Sequence, residues 1–219
     1  DQWGTATVVL AALINSLKVV DKKIDQIKIV VLGAGAAGSA VVKILSTFGG
    51  KNILVCDRQG IIYQNRLKNS PEKEMLAKIT NPNQEKGDLS LALKKADILI
   101  GVSGANLVTA STAASMNRRS IIFAMANPNP EIRPDLAKKA GVYIFASGRS
   151  DIPNQVNNAL VFPGIFRGAL DHKVKEITLA MLIKAAQNLA SLVKNPTAKK
   201  IIPSIFDRGV ADAVAKAIK

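Results

Sequence analysis

Residues 28–38, KIVVLGAGAAG, constrain the fold of this chain more than any other segment. A short apolar run rich in β-branched residues ends at glycines spaced G-x-G-x-x-G, and a helical pattern follows over 36–48. In this strand–turn–helix order, Gly33 permits a tight turn, Gly35 lets the backbone approach a pyrophosphate, and Gly38 allows close packing of helix on strand. The segment therefore predicts a dinucleotide site at the start of a helix.

Apolar runs typical of strands alternate with helical patterns as far as residue 147. Strands are predicted at 27–32, 52–56, 97–102, 120–124 and 142–146, with helices at 36–48, 71–79, 89–96, 109–116 and 132–139. Continuous apolar strands separated by helices indicate a parallel sheet that is covered on both faces. We expect one Rossmann-like, doubly wound α/β domain over 1–219, with its core sheet at about 26–160 and flanking helices at 5–20 and within 163–218.

The net charge of the chain is +14, yet only 4% of its residues are aromatic. The lysines are spread along the chain, and few aromatic side chains are present to stack on bases, so a solvated surface is favoured over a nucleic-acid partner. The single cysteine, Cys56, excludes a disulfide within the chain. No signal peptide is recognised, and we expect no apolar stretch to reach the roughly 18 residues of a membrane span. We expect a soluble, cytoplasmic protein with no membrane partner.

An acidic residue follows the second predicted strand at the distance that a dinucleotide site requires. Asp57 lies 19 residues after Gly38, where a carboxylate accepts hydrogen bonds from the adenosine ribose hydroxyls of NAD. Asp57 would repel the 2′-phosphate of NADP, whereas the adjacent Arg58 would attract it. NAD is therefore the expected cofactor, and NADP stays open. The alternative is that the glycines only form a tight turn and that Asp57 only caps a loop.

Small polar loops follow the third, fourth and fifth predicted strands, over 103–106, 125–128 and 147–158. Ligands of open parallel sheets bind outside the carboxyl ends of the strands, and asparagine amides both donate and accept hydrogen bonds. We expect these loops to line a trough for a cofactor and a small substrate. The residues predicted from the turn and the strand ends to bind cofactor are Gly33, Gly35, Ala36, Ala37, Gly38, Asp57, Arg58, Val102, Ser103 and Gly104.

Four stretches together carry a more specific signal than the glycine motif, which many dehydrogenases share. They are DQWGTA at 1–6, GAGAAG at 33–38, FAMANPNPE at 123–131 and NNALVFPGIFRGALD at 157–171. In this order they resemble the C-terminal, NAD-binding half of bacterial malic enzyme, and the resemblance covers essentially the whole chain. It implies oxidative decarboxylation of malate to pyruvate and carbon dioxide, with hydride transfer to NAD or NADP and a bound Mg²⁺ or Mn²⁺.

The resemblance also assigns roles to individual residues. It implies that Asp1 is a metal ligand, that Asn127 contacts both malate and the cofactor, and that Asn158 contacts malate, with Asn157 beside the cofactor. The lysine base, the tyrosine acid and two further carboxylate ligands of the family belong to an N-terminal domain that this sequence does not contain. We therefore expect no catalytic residue in this chain, and cofactor binding without turnover of malate.

The resemblance implies two kinds of protein partner, the N-terminal malic enzyme domain and further copies in a homodimer or larger assembly. A stand-alone module that senses a nucleotide without chemistry is the alternative from another functional class.

Overall fold

One six-stranded sheet forms the centre of the protein, for which a computed structural model describes residues 2–219. Its strands are β1 (Lys28–Leu32), β2 (Asn52–Asp57), β3 (Gly60–Ile61), β4 (Ile98–Gly101), β5 (Ile121–Ala124) and β6 (Ile144–Ser147). The spatial order is β3-β2-β1-β4-β5-β6, and every neighbouring pair is parallel except β2 and β3. The reversal of strand order beside β1 confirms the doubly wound, Rossmann-like fold.

Nine α-helices are present within the described residues. They are α1 (Gln2–Val20), α2 (Ala36–Phe48), α3 (Pro71–Ile79), α4 (Leu89–Leu93), α5 (Ala110–Ala114), α6 (Pro134–Lys139), α7 (Phe162–Asp171), α8 (Leu179–Ser191) and α9 (Val210–Ala215). Short 3₁₀ turns lie at Ile24–Gln26 and Asn158–Leu160.

Both faces of the sheet are buried, as the apolar strands predict. Ile29 and Val31 of β1 belong to a core with α1, α2 and α8, whereas Val30 and Leu32 belong to a second core with α4, α5 and α6. Successive side chains of a strand point to opposite faces, so a strand covered by helices on both sides has no polar position.

The predicted parallel sheet also has one antiparallel edge strand, which the sequence patterns did not indicate. Strand β3 pairs antiparallel with β2 through a tight turn, and it is only two residues long. Gly60 has φ +98° in this turn, and a Cβ there would overlap the carbonyl oxygen of Gly87. So short a strand carries no periodic signal, and its pairing depends on the turn rather than on an apolar run.

Helix α1 corrects the expectation that no apolar stretch is long enough to span a membrane. It has 19 residues and passes that test by length and composition. However, 72% of its most apolar window is buried inside the protein, where it packs against α2 and α8. Its all-round apolarity is that of a central core helix.

The last two helices, α8 and α9, are shorter than the ranges 173–193 and 207–218 that the sequence patterns predict. Helix α8 begins at Leu179 because Thr178 caps it, accepting a hydrogen bond from the backbone N–H of Met181. Helix α9 begins after Gly209, which has φ +82° and ends the preceding turn. The apolar pattern continues beyond these ends because the flanking turns also contribute buried side chains.

Candidate functional site

The three glycines of the motif meet different surroundings. Gly33 is buried with φ +120°, and a Cβ on it would lie 2.7 Å from the carbonyl oxygen of Val102. A Cβ on Gly38 would overlap the carbonyl oxygen of Gly33, so both positions require glycine for packing. By contrast, a Cβ on Gly35 would meet no described atom within 4 Å. Only the middle glycine borders open space, as expected where a ligand approaches the backbone.

The start of α2 is suited to an anion. Gly35 is its N-cap, and within residues 2–219 no side chain caps this end and no acidic residue occupies its first turn. The first N–H groups of a helix have no acceptor within the helix, and the helix dipole places partial positive charge there. A phosphate group therefore finds backbone donors and a favourable field at this turn.

Two cavities flank this same turn. The larger, of about 690 Å³, is lined by Gly35 and Ala36 on one side and by residues of the α3 region on the other, which are Ser70, Glu72, Met75, Leu76, Lys78 and Ile79. The smaller, of about 340 Å³, includes Ala37 and extends over the carboxyl ends of β4, β5 and β6. A ligand whose middle lies on the turn can therefore extend in two directions.

The smaller cavity is lined by most of the residues that were predicted to lie near the nicotinamide and the substrate. Asn127, after β5, and Asn157 and Asn158, before α7, all line it. The Asn157 side chain accepts a hydrogen bond of 2.9 Å from the N–H of Ala159, which fixes the start of the 3₁₀ turn. The remaining lining residues are Thr5, Val8, Ala37, Val102, Ser103, Met125, Ala126, Gly148 and Val156. Five of the residues predicted to bind cofactor lie outside the lining of both cavities, namely Gly33, Gly38, Asp57, Arg58 and Gly104.

Asp57 ends β2 and is held by several donors. Its Oδ1 accepts from Nη1 of Arg66 at 3.0 Å and from the N–H of Gln59 at 2.8 Å. Its Oδ2 accepts from Nη2 of Arg66 at 2.5 Å and from Nζ of Lys73 at 2.7 Å. Burial by itself would raise the pKa of Asp57, but the hydrogen bonds from Arg66 and Lys73 outweigh it and lower the pKa to about 2. The carboxylate is therefore charged and fixed in position.

Arg66 and Lys73 were not found from the sequence. The sequence drew attention to Arg58, which is adjacent to Asp57 but exposed. Arg66 instead lies in the loop after β3 and is buried, and Lys73 lies in the first turn of α3. The only available signal was a group of basic residues in the segment that connects β2 to α3.

Glu131 is the last residue of the segment FAMANPNPE, and the sequence analysis predicted no function for it. The structure shows it fully buried between the loops that follow β4 and β5. Burial raises the pKa of its carboxyl group, and N–H donors from Ser103 and Ala126 oppose that rise.

The predicted metal ligand Asp1 lies outside the described residues. Within residues 2–219, no three side chains of His, Cys, Asp or Glu come together in a group that would hold a metal ion.

The comparison with known families decides the identity of the domain. The sequence profile described as "Malic enzyme, NAD binding domain" matches residues 3–219. The chain belongs to this malic enzyme family.

Similar proteins support the same conclusion. The bifunctional malic/malolactic enzyme of Bacillus subtilis is 48% identical over 100% of this chain and 54% of its own length. The NADP-dependent malic enzyme of Halomonas elongata is 40% identical over 92% of this chain and 48% of its own length. The crystal structure of the NAD-dependent malic enzyme of Thermotoga maritima superposes with a TM-score of 0.94 at 46% identity, covering 100% of this chain and 58% of that one. This malic enzyme chain spans about half the length of the curated relatives it matches.

Proposed function

We propose that this chain is the cofactor-binding part of a malic enzyme that converts malate to pyruvate and carbon dioxide with NAD as the hydride acceptor. The observation that carries the proposal is the open, uncapped turn at Gly35 with a cavity on either side of it. A dinucleotide has this shape, because a pyrophosphate joins two nucleosides that extend in opposite directions. Membership of the malic enzyme family supplies the substrate.

The residues around the turn would bind the cofactor in three places. The N–H groups at the start of α2 would donate to the pyrophosphate, with Gly35 leaving room for it. Asp57 would accept from the adenosine ribose hydroxyls, since Arg66 and Lys73 keep its carboxylate ionised. Val102 and Ser103 would border the nicotinamide nucleoside in the smaller cavity. Bound NAD would supply the acceptor for the hydride from C2 of malate.

Asparagine side chains would orient the substrate. Asn127 and Asn158 line the smaller cavity from different loops, and their amides can donate to carboxylate oxygens and accept from the C2 hydroxyl. Contacts from both sides would fix the direction in which C2 faces. Orientation of this kind accounts for a large part of the rate enhancement in hydride transfer between two bound molecules.

The charges at the adenosine end favour use of NAD with tolerance of NADP. One carboxylate, Asp57, is matched by two cations, Arg66 and Lys73, and Arg58 lies exposed beside them. Because Arg66, Lys73 and Gln59 already donate to the Asp57 carboxylate, a ribose hydroxyl of NAD would take the place of one of these donors, and the surplus of positive charge would lower the repulsion of a 2′-phosphate. We therefore infer that NADP binds, but more weakly than NAD.

The remaining parts of the reaction would come from outside the described residues. We infer that an N-terminal domain provides the lysine base, the tyrosine acid and further metal ligands for Mg²⁺ or Mn²⁺. A homodimer or larger assembly and a cytoplasmic location stay predictions of the sequence analysis.

Calorimetric titration of the purified chain with NAD and NADP tests the binding role. We expect saturable binding at one site, tighter for NAD, and no NADH formation when malate and Mn²⁺ are added. Absence of any nucleotide binding would overturn the proposed cofactor role. Formation of NADH that depends on malate would instead overturn the assignment of the acid and base to another domain.

A further inference from the structure

Glu131 places a buried carboxylate beside the proposed nicotinamide end of the site, and no lysine or arginine within residues 2–219 forms a salt bridge with it. Glu131 is fully buried, and its carboxylate accepts hydrogen bonds from backbone N–H groups of two different loops. Its Oε1 accepts from the N–H of Ser103 at 2.9 Å, and its Oε2 accepts from the N–H of Ala126 at 3.1 Å. One side chain thus joins the loop after β4 to the loop after β5.

The surrounding backbone is arranged to admit this carboxylate. A Cβ on Gly101, the last residue of β4, would overlap Cδ of Glu131, so only glycine leaves room there. Two backbone hydrogen bonds also join the loops. The N–H of Val108 donates to the backbone carbonyl oxygen of Glu131 at 2.9 Å, and the N–H of Asn106 donates to the backbone carbonyl oxygen of Pro130 at 3.0 Å. The two loops are therefore fixed to each other along their length, and the carboxylate makes the links nearest the cavity.

Both linked N–H groups belong to residues that form the cavity wall. Ser103 and Ala126 line the smaller cavity from opposite loops, and Asn127, which we propose to contact malate, directly follows Ala126. A change in the distance between the loops would therefore move the Asn127 amide relative to the nicotinamide. Displacements of about 1 Å near a reacting centre cost on the order of 10²-fold in rate.

We propose that Glu131 is a positioning residue that sets the distance between the two loops enclosing the nicotinamide and the substrate. This inference rests on the proposed function of the site. It requires a carboxylate in particular, because each oxygen accepts from one loop. Glutamine has the same size but only one acceptor oxygen, and its NH₂ group would face one of the two N–H donors.

The experiment compares E131Q with the unchanged protein in the full-length enzyme, with D135N as the matched control. Asp135 lies exposed in the first turn of α6, pairs with Arg133 and lines neither cavity. For E131Q we expect kcat with malate and NAD to fall by about 10²-fold, while affinity for ADP-ribose, which lacks the nicotinamide, stays within about twofold. We also expect E131Q to lose the extra affinity of NADH over ADP-ribose. D135N should match the unchanged protein in all three measurements.

Two results would overturn the inference. One is a kcat of E131Q within about twofold of the unchanged enzyme. The other is a parallel loss of kcat and of ADP-ribose affinity, which would indicate general damage to the domain. If E131Q does not fold, E131D is used instead, because it keeps the charge but is one methylene too short to reach both loops. Either of the two results above, obtained with E131D, would overturn the inference. Failure of the unchanged protein to bind ADP-ribose would refute the proposed function itself.

Discussion

The two ends of the proposed cofactor site are built from different interactions. At the adenosine end, charged side chains hold one another, and Asp57 is fixed by Arg66 and Lys73. At the nicotinamide end, neutral amides such as that of Asn127 face the cavity, and the nearby carboxylate of Glu131 holds backbone instead. This difference indicates that charge at the adenosine end can select the nucleotide, whereas backbone geometry at the nicotinamide end can orient the reacting groups. Between the ends lies the glycine turn, on which both depend.

The largest effect should come from the turn itself, because it serves both ends. In Gly35→Ala, the new Cβ points into open space, so we expect the melting temperature to be unchanged and affinity for NAD and ADP-ribose to fall by about 10²-fold or more. Gly38→Ala is the companion variant, because its Cβ overlaps the oxygen of Gly33, and it should lose stability as well as binding. Calorimetry and thermal unfolding of both variants provide the measurement. Full NAD affinity in Gly35→Ala would contradict the account.

A change at Asn127 should affect the nicotinamide end alone. We expect Asn127→Ala in the full-length enzyme to lower kcat/KM for malate by about 10²-fold, because an orienting hydrogen bond is lost. Affinity for ADP-ribose should not change. Asn129→Ala is the control, since Asn129 is an exposed residue of the same loop outside the cavity lining. Equal losses in the two variants would show that the loop as a whole, rather than the Asn127 amide, is responsible.

The charged cluster should make stability depend on acid pH. The pKa of Asp57 is about 2 in the folded protein against 3.8 ordinarily, so its ionised form stabilises the fold above pH 4, by about 1 kcal/mol once solvent screening of this partly exposed group is allowed for. This contribution disappears as pH falls through the folded pKa. The free energy of unfolding of the unchanged protein should therefore exceed that of Asp57→Asn by an amount that shrinks between pH 5 and pH 2. Denaturant titrations at several pH values measure the difference, and a constant difference would contradict the assignment.

The smallest effect concerns the choice between the two nucleotides. Lys73→Gln removes one of the two cations beside Asp57 without removing the buried Arg66. We expect NADP affinity to fall by roughly 3- to 10-fold and NAD affinity to change by less than about twofold, as for loss of a single partly exposed charge. Lys138→Gln, exposed on α6 and outside the lining of both cavities, is a control of equal charge change. A similar loss of NADP affinity in both variants would attribute the effect to net charge alone.

The sequence predicted those parts of the site that depend on local chain geometry. The glycine turn and the polar loops after β4 and β5 could be placed because a strand, a turn and a helix follow one another directly in the sequence. The partners of Asp57 could not, since Arg66 reaches it around the β3 hairpin and Lys73 reaches it from α3. Glu131 was missed for the same reason, because its role depends on two loops that meet only in the folded protein.

A crystal structure of the chain with bound NAD tests the central claim most directly. The account predicts pyrophosphate oxygens within hydrogen-bond distance of the N–H groups at the start of α2, the adenosine ribose at Asp57, and the nicotinamide in the cavity beside Asn127. A nucleotide bound away from Gly35, or one whose nicotinamide lies on the α3 side of the turn, would contradict it.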